Sequence, residues 1–90
     1  MKPEIVIKKR RERVTEGLIL DYTLSKRLEG GLVLYSLLVE ETRANQREFV
    51  FLDALTDDET RANELFLLFA EESVTPCTAE DVLHEIFYAP

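Results

Sequence analysis

The stretch Thr56-Asp57-Asp58-Glu59-Thr60-Arg61-Ala62-Asn63-Glu64-Leu65-Phe66-Leu67-Leu68-Phe69 decides how the chain is read. Thr56 and Glu59 stand at a capping-box spacing, in which the Thr hydroxyl accepts the Glu59 amide and the Glu59 carboxylate reaches back to the Thr56 amide. Asp57, Asp58 and Glu59 put negative charge at the positive end of the helix dipole. Ala62, Leu65, Phe66 and Phe69 follow at i, i+3, i+4 and i+7, one apolar face of a helix. The spacing predicts a helix capped at Thr56, with Phe66 and Phe69 in the core.

Upstream, the period changes from helical to two. Leu18, Leu20, Tyr22 and Leu24 alternate with Ile19, Asp21, Thr23 and Ser25, as in a strand with one buried face. Glu29-Gly30-Gly31 reads as a tight turn, because paired glycines supply the positive φ that hairpins need. In Leu32–Glu41, Val33, Tyr35, Leu37 and Val39 line one face, and Leu32, Leu34 and Leu38 line the other beside Ser36. That pattern suits a central strand. Thr42 to Arg47 is a polar connection with Asn45 as its left-handed residue. A third strand spans about Glu48 to Leu55, with Phe49 and Phe51 opposite Val50, Leu52 and Ala54. Downstream, Thr75 suits an N-cap and Pro76 a first helical position. Ala79, Val82, Leu83, Ile86 and Phe87 form the apolar face of a second helix, and Pro90 closes the chain. Strands first and helices after predict an α+β fold: an antiparallel three-stranded meander, four-stranded if Glu4–Ile7 adds a strand, then two helices on one face.

The chain has 90 residues, a formal net charge of −7, 46% hydrophobic residues and one cysteine, Cys77. That composition argues against disorder, and a lone cysteine cannot form an internal disulfide. No apolar run is long enough for a membrane span or an export signal, so the expected location is the cytoplasm. The charge is uneven. Residues 1–13 carry six basic and two acidic residues, net +4, whereas the remaining 77 carry −11. Residues 1–16 therefore read as a basic N-terminal arm or edge strand, and 17–90 as a single α+β domain.

Tyr35-Ser36-Leu37-Leu38-Val39-Glu40, Leu52-Asp53-Ala54-Leu55-Thr56-Asp57, Val74-Thr75-Pro76 and Asp81-Val82-Leu83-His84-Glu85-Ile86-Phe87 together resemble a family of small bacterial proteins. That family comes mostly from Gram-positive anaerobes and is known as a domain of unknown function. The resemblance covers about residues 18–88. It implies the fold and supplies no catalytic or binding residue.

Few residues carry chemistry. Cys77 falls in the first turn of the second helix, where the dipole lowers a thiol pKa. His84 lies seven residues on, ~10 Å along the axis, out of reach of a Cys–His pair. Glu80 and His84 at i, i+4 offer two metal ligands, but no further His or Cys completes a zinc set. The simpler reading packs Cys77 as a small apolar residue and leaves His84 on the helix surface beside Glu80 or Asp81. Asp53, Asp57, Asp58 and Glu59 lack the alternating ligands and glycine of a calcium loop and read as helix-start carboxylates. No catalytic residue, cofactor or metal is expected.

Two binding surfaces remain. Lys8, Lys9, Arg10, Arg11 and Arg13 form a possible anion-binding arm, although no aromatic residue interleaves them as a stacking platform. If Tyr22, Tyr35 and Leu37 meet the helices, then Ile19, Leu32, Leu34 and Leu38 are left outside as an apolar patch, unless Ile5-Val6-Ile7 folds back over it. The sequence is thus read as a non-enzymatic protein-interaction or regulatory module that binds a protein or itself as a homodimer. The alternative is nucleic-acid binding through Lys8–Arg13. A membrane is not an expected partner.

Overall fold

In the computed structural model, which describes residues 4–15 and 17–88, strands β1 (Ile5–Thr15), β2 (Leu18–Glu29), β3 (Leu32–Arg43) and β4 (Gln46–Thr56) precede helices α1 (Glu59–Glu71) and α2 (Ala79–Tyr88). The strands form one open antiparallel sheet in the order β1-β2-β3-β4. The fold is α+β, and the sheet has four strands. The strand added to the expected three is β1, and it contains the basic residues Lys8–Arg13, which pair along β2 from Lys8 opposite Leu24 to Arg13 opposite Ile19.

Gly30 and Gly31, at φ 58° and 82°, join β2 to β3. Both central residues with positive φ make a two-residue hairpin turn whose twist matches the strands. It sets a register with no slip, from Glu29 opposite Leu32 to Leu18 opposite Arg43. The next turn is shorter than its composition suggests. Thr42 and Arg47 are paired, and only Ala44 and Asn45 lie outside the strands. Its left-handed residue is Ala44 (φ 52°), not Asn45.

Alternation sends Leu18, Leu20, Tyr22, Leu24, Tyr35, Leu37, Val39 and Leu52 to one face, where all are buried. There α1 adds Ala62, Leu65, Phe66, Phe69 and Ala70, and Val82, Leu83 and Ile86 of α2 pack partly against the same core. Phe66 and Phe69 are core residues as their spacing predicts. Phe87 instead stays largely exposed, with the Arg61 guanidinium 5.6 Å over its ring.

The helix starts differ from expectation. Asp58, not Thr56, caps α1: its carboxylate accepts the amides of Thr60 at 2.9 Å and Arg61 at 3.3 Å. Thr56 Oγ1 accepts the Asp58 amide at 3.1 Å, so it braces the cap from one step back. A charged acceptor at the dipole's positive end outcompetes a hydroxyl. Likewise α2 begins at Ala79, not Pro76. Thr75 and Thr78 bond reciprocally through amide and hydroxyl (3.2 and 3.3 Å), closing a turn ahead of the helix.

The end of α1 is tied into the core. Ser73 takes a left-handed φ of 52°, its amide reaches Ala70 O at 3.3 Å, and the Val74 amide reaches Phe69 O at 3.0 Å. This is a Schellman motif with a serine in the usual glycine position. Buried Val74 then accepts the Tyr22 hydroxyl on its carbonyl at 2.8 Å. The molecule is only 18 Å thick along its shortest axis. That is one sheet with one layer of helices, and among the described residues no helix lies on the second face of the sheet.

Candidate functional site

The uncovered face follows from the register. Across the strands it reads Arg13-Ile19-Thr42-Arg47, then Arg11-Asp21-Glu40-Phe49, then Lys9-Thr23-Leu38-Phe51, then Val6-Ser25-Ser36. Arg27 and Leu34 continue it, and Leu32 lies opposite Glu29 at the hairpin end.

The centre of this face is small and polar. Thr23, Ser25 and Ser36 are buried there, on the face away from the helices. Ser36 creates a local irregularity. Its hydroxyl oxygen accepts the Ala54 amide at 3.0 Å and lies 3.2 Å from Asp53 Oδ1. Beside it the β3–β4 register breaks, with Leu37 opposite Leu52 but Tyr35 opposite Thr56. Ala54 accordingly sits at φ 51° and departs from the alternation expected for it.

Asp53 is the end point of an ion cluster. Arg27, only 16% exposed at its side chain, binds Asp53 through both terminal nitrogens, Glu29 at 2.7 Å and Glu4 at 3.3 Å. The Arg27 hydrogen bond holds the Asp53 carboxyl below its ordinary value, helped by Ser36 and the Ala54 amide. The same bond, then that of Glu29, raises Arg27 further. Elsewhere on the face Arg11 pairs with Asp21 at 2.8 Å, which raises its pKa, and Arg47 pairs with Glu40 at 3.2 Å. Three arginines of the open face are thus already held by carboxylates.

The apolar residues divide by exposure. Ile19, Leu34 and Leu38 are only half-buried, and Leu32 is 53% exposed. Ile19 stands apart from Leu38, separated by the Asp21-Glu40 row. Phe49 of β4 is the most exposed of all at 71%, and Phe51, two residues along on the same face, is exposed as well (43%). Their alternation with Val50 and Leu52 is legible in the sequence, but which pair is covered is not. Ile5-Val6-Ile7 does not fold over the patch. It begins edge strand β1, with Ile5 and Val6 exposed.

The basic residues split between the faces. Lys9, Arg11 and Arg13 share the open face, while Lys8 and Arg10 pair with Leu24 and Tyr22 on the helix side, where Arg10 binds Glu12. Cys77 is exposed rather than packed, and lines a groove with Pro76, Phe49 and Val50. His84 is exposed on α2. Asp53 and Asp58 are turned to Arg27 and to the α1 amides, respectively. Among the described residues no group of three or more His, Cys, Asp or Glu is placed to hold a metal ion, and no helix is long and apolar enough to cross a membrane. No protein-family model, curated protein or solved structure matches the chain.

Proposed function

We propose that the chain is a small, non-enzymatic protein-interaction or regulatory module. It acts through the uncovered sheet face and the β4 strand that borders it, with a second copy as its first partner. The observation that carries this reading is the outward pair Phe49 and Phe51 beside Leu38. Together with Leu34 and Leu32, which lie beyond Ser36 on the same face, they expose a few hundred Å² of apolar surface, the amount at which patches serve as interaction sites. At ~25 cal/mol per Å², covering it contributes several kcal/mol to association. Arg11, Arg27 and Arg47 around it are already paired within the chain, so apolar contact is the larger part of what the face offers. A single, exposed cysteine suits a reducing compartment, and we place the module in the cytoplasm. The test is gel filtration with light scattering: the native chain runs as a dimer, and Phe49→Glu with Phe51→Glu gives a folded monomer. A native monomer at tens of micromolar overturns self-association.

One observation favours a second reading, nucleic-acid binding. Lys9, Arg11 and Arg13 share the open face with Phe49 and Phe51, bringing together cations and a stacking platform. Asp21 and Glu40 lie between them, and Arg11 is already bound to Asp21. That reading requires a complex at micromolar protein that weakens steeply with salt in gel shifts. We expect none.

A further inference from the structure

The sheet has two edges, and they are built differently. The β1 edge carries Lys9, Arg11 and Arg13 and is broken by register shifts at both ends, between Val6 and Lys8 and between Arg13 and Thr15. Positive charge and bulges are how edge strands resist pairing. Two β1 strands paired about Arg11 would set like charges opposite one another. The β4 edge is regular from Gln46 to Leu52, and between Glu48 and Asp53 it carries only Phe49, Val50, Phe51 and Leu52.

The hairpin fixes which main-chain groups that edge presents. In a two-residue hairpin the flanking residues, here Arg43 and Gln46, form the hydrogen-bonded pair, and bonded pairs then alternate along the ladder. Glu48, Val50 and Leu52 thus bond to β3, and Arg47, Phe49 and Phe51 turn their N–H and C=O outward. A second antiparallel β4 must bond to those three, so only every second register is open to it. One of these is complementary. Centred on Val50, it sets Phe49 of each copy against Phe51 of the other, and Arg47 against Asp53. Shifted either way, it sets Arg47 against Phe51 or Phe49 against Asp53.

We infer that two copies of this chain join edge to edge through β4 about a twofold at Val50, forming a continuous eight-stranded sheet with doubled open face. The inference rests on the self-association proposed above and specifies its geometry: the seam sets Phe49 and Phe51 of the two copies against each other and leaves Leu32, Leu34 and Leu38 of β3 open. The two Phe49–Phe51 pairs at the centre of the seam exchange about four main-chain hydrogen bonds, and the register break at Ala54 ends the pairing on each side. An isologous contact of this kind closes at two copies, whereas β4 pairing with the β1 edge of another copy would propagate.

Sedimentation equilibrium at tens of micromolar, on the native chain, Leu38→Glu, Phe49→Val and Phe49→Pro, separates the possibilities. Proline at 49 removes an outward N–H without breaking the β3 ladder, while valine keeps it. The native chain, Leu38→Glu and Phe49→Val sediment as dimers. Phe49→Pro remains folded by circular dichroism, with a dissociation constant raised roughly a hundredfold. A dimer lost in Leu38→Glu and kept in Phe49→Pro overturns edge pairing while leaving self-association through the face intact. Loss in both Phe49 variants assigns the contact to the ring and overturns the main-chain seam. A native monomer, or a mass growing past two copies, overturns the inference as well. Should Phe49→Pro fail to fold, Val50→Cys in a Cys77→Ser background decides it. The Val50 positions would face each other in a wide pair with Cα atoms ~4.5 Å apart, within disulfide range. Mild oxidation then links two chains, and a dimer that does not link overturns the register.

Discussion

Replacing Tyr22 by Phe removes one oxygen from the centre of the molecule and nothing else. Tyr22 is fully buried and its hydroxyl donates to Val74 O at 2.8 Å, joining the sheet to the residue that ends α1. The ring stays, so the transfer free energy of a large side chain is kept. What is lost is the net value of one hydrogen bond, ~0.5–1.5 kcal/mol, plus the cost of leaving a buried carbonyl unpaired, ~1–3 kcal/mol. Together these span ~1.5–4.5 kcal/mol, with ~2–3 kcal/mol as the central expectation, a large share of the ~5–13 kcal/mol expected for a domain of this length. Titration gives an independent handle. Burial, with Glu12 adding to it, pushes the Tyr22 hydroxyl up to about 12. A folded pKa raised above the unfolded value of ~10 means full stability below pH ~10 and loss as pH rises through ~12, amounting to ~2–3 kcal/mol. Urea denaturation at pH 7 should therefore show Tyr22→Phe destabilised by ~2–3 kcal/mol, and the gap should narrow by pH 12. A loss under ~0.5 kcal/mol at pH 7, or parallel alkaline limbs for the two proteins, would refute the role given to this bond.

Three further outcomes follow from the packing. Phe66→Ala should cost ~3–5 kcal/mol by thermal or chemical denaturation, since the ring is buried between α1 and the sheet. Ala44→Gly should raise stability by up to ~1 kcal/mol, because Ala44 holds a left-handed φ at an exposed turn; a neutral or negative effect would show that the strain is absent. Asp53 has a depressed folded pKa, so its contribution is present above the unfolded carboxylate value of ~3.9 and lost as pH falls through the folded one. Asp53→Asn should flatten stability across that acid window, measured by denaturant midpoints from pH 6 down to 2.

The sequence states the core side of this fold well and its irregular points poorly, for physical reasons. Alternation in Leu18–Ser25 and the helical spacing Ala62–Phe69 each answer to a single buried face, and both are observed. The Gly30-Gly31 turn needs only its own two residues. By contrast, β1 hides its strand character because register shifts around Ile7 and Val14 break period two and charge dominates what remains. The left-handed Ala54 depends on the hydroxyl of Ser36, eighteen residues away, which no local pattern reveals. At the start of α1, three acids compete with Thr56, and spacing alone does not rank Asp58 first. Ile19, Leu32, Leu34 and Leu38 were expected on the face away from the helices and lie there, with Ile19 set apart by the Asp21-Glu40 row. Phe49, its most exposed member, and Phe51 belong to a strand apolar on both sides, and only the placement of the helices decides which side faces out.

Amide exchange at Phe49 and Phe51 in the unmodified chain, followed by NMR across protein concentration, bears most directly on the claim that this molecule works by pairing. Both N–H groups point away from β3, so in a lone chain they meet only water and exchange at nearly unprotected rates. Protection at both residues should rise with concentration, alongside the concentration-independent protection of Val50 and Leu52. Fast exchange at Phe49 and Phe51 up to hundreds of micromolar would contradict it.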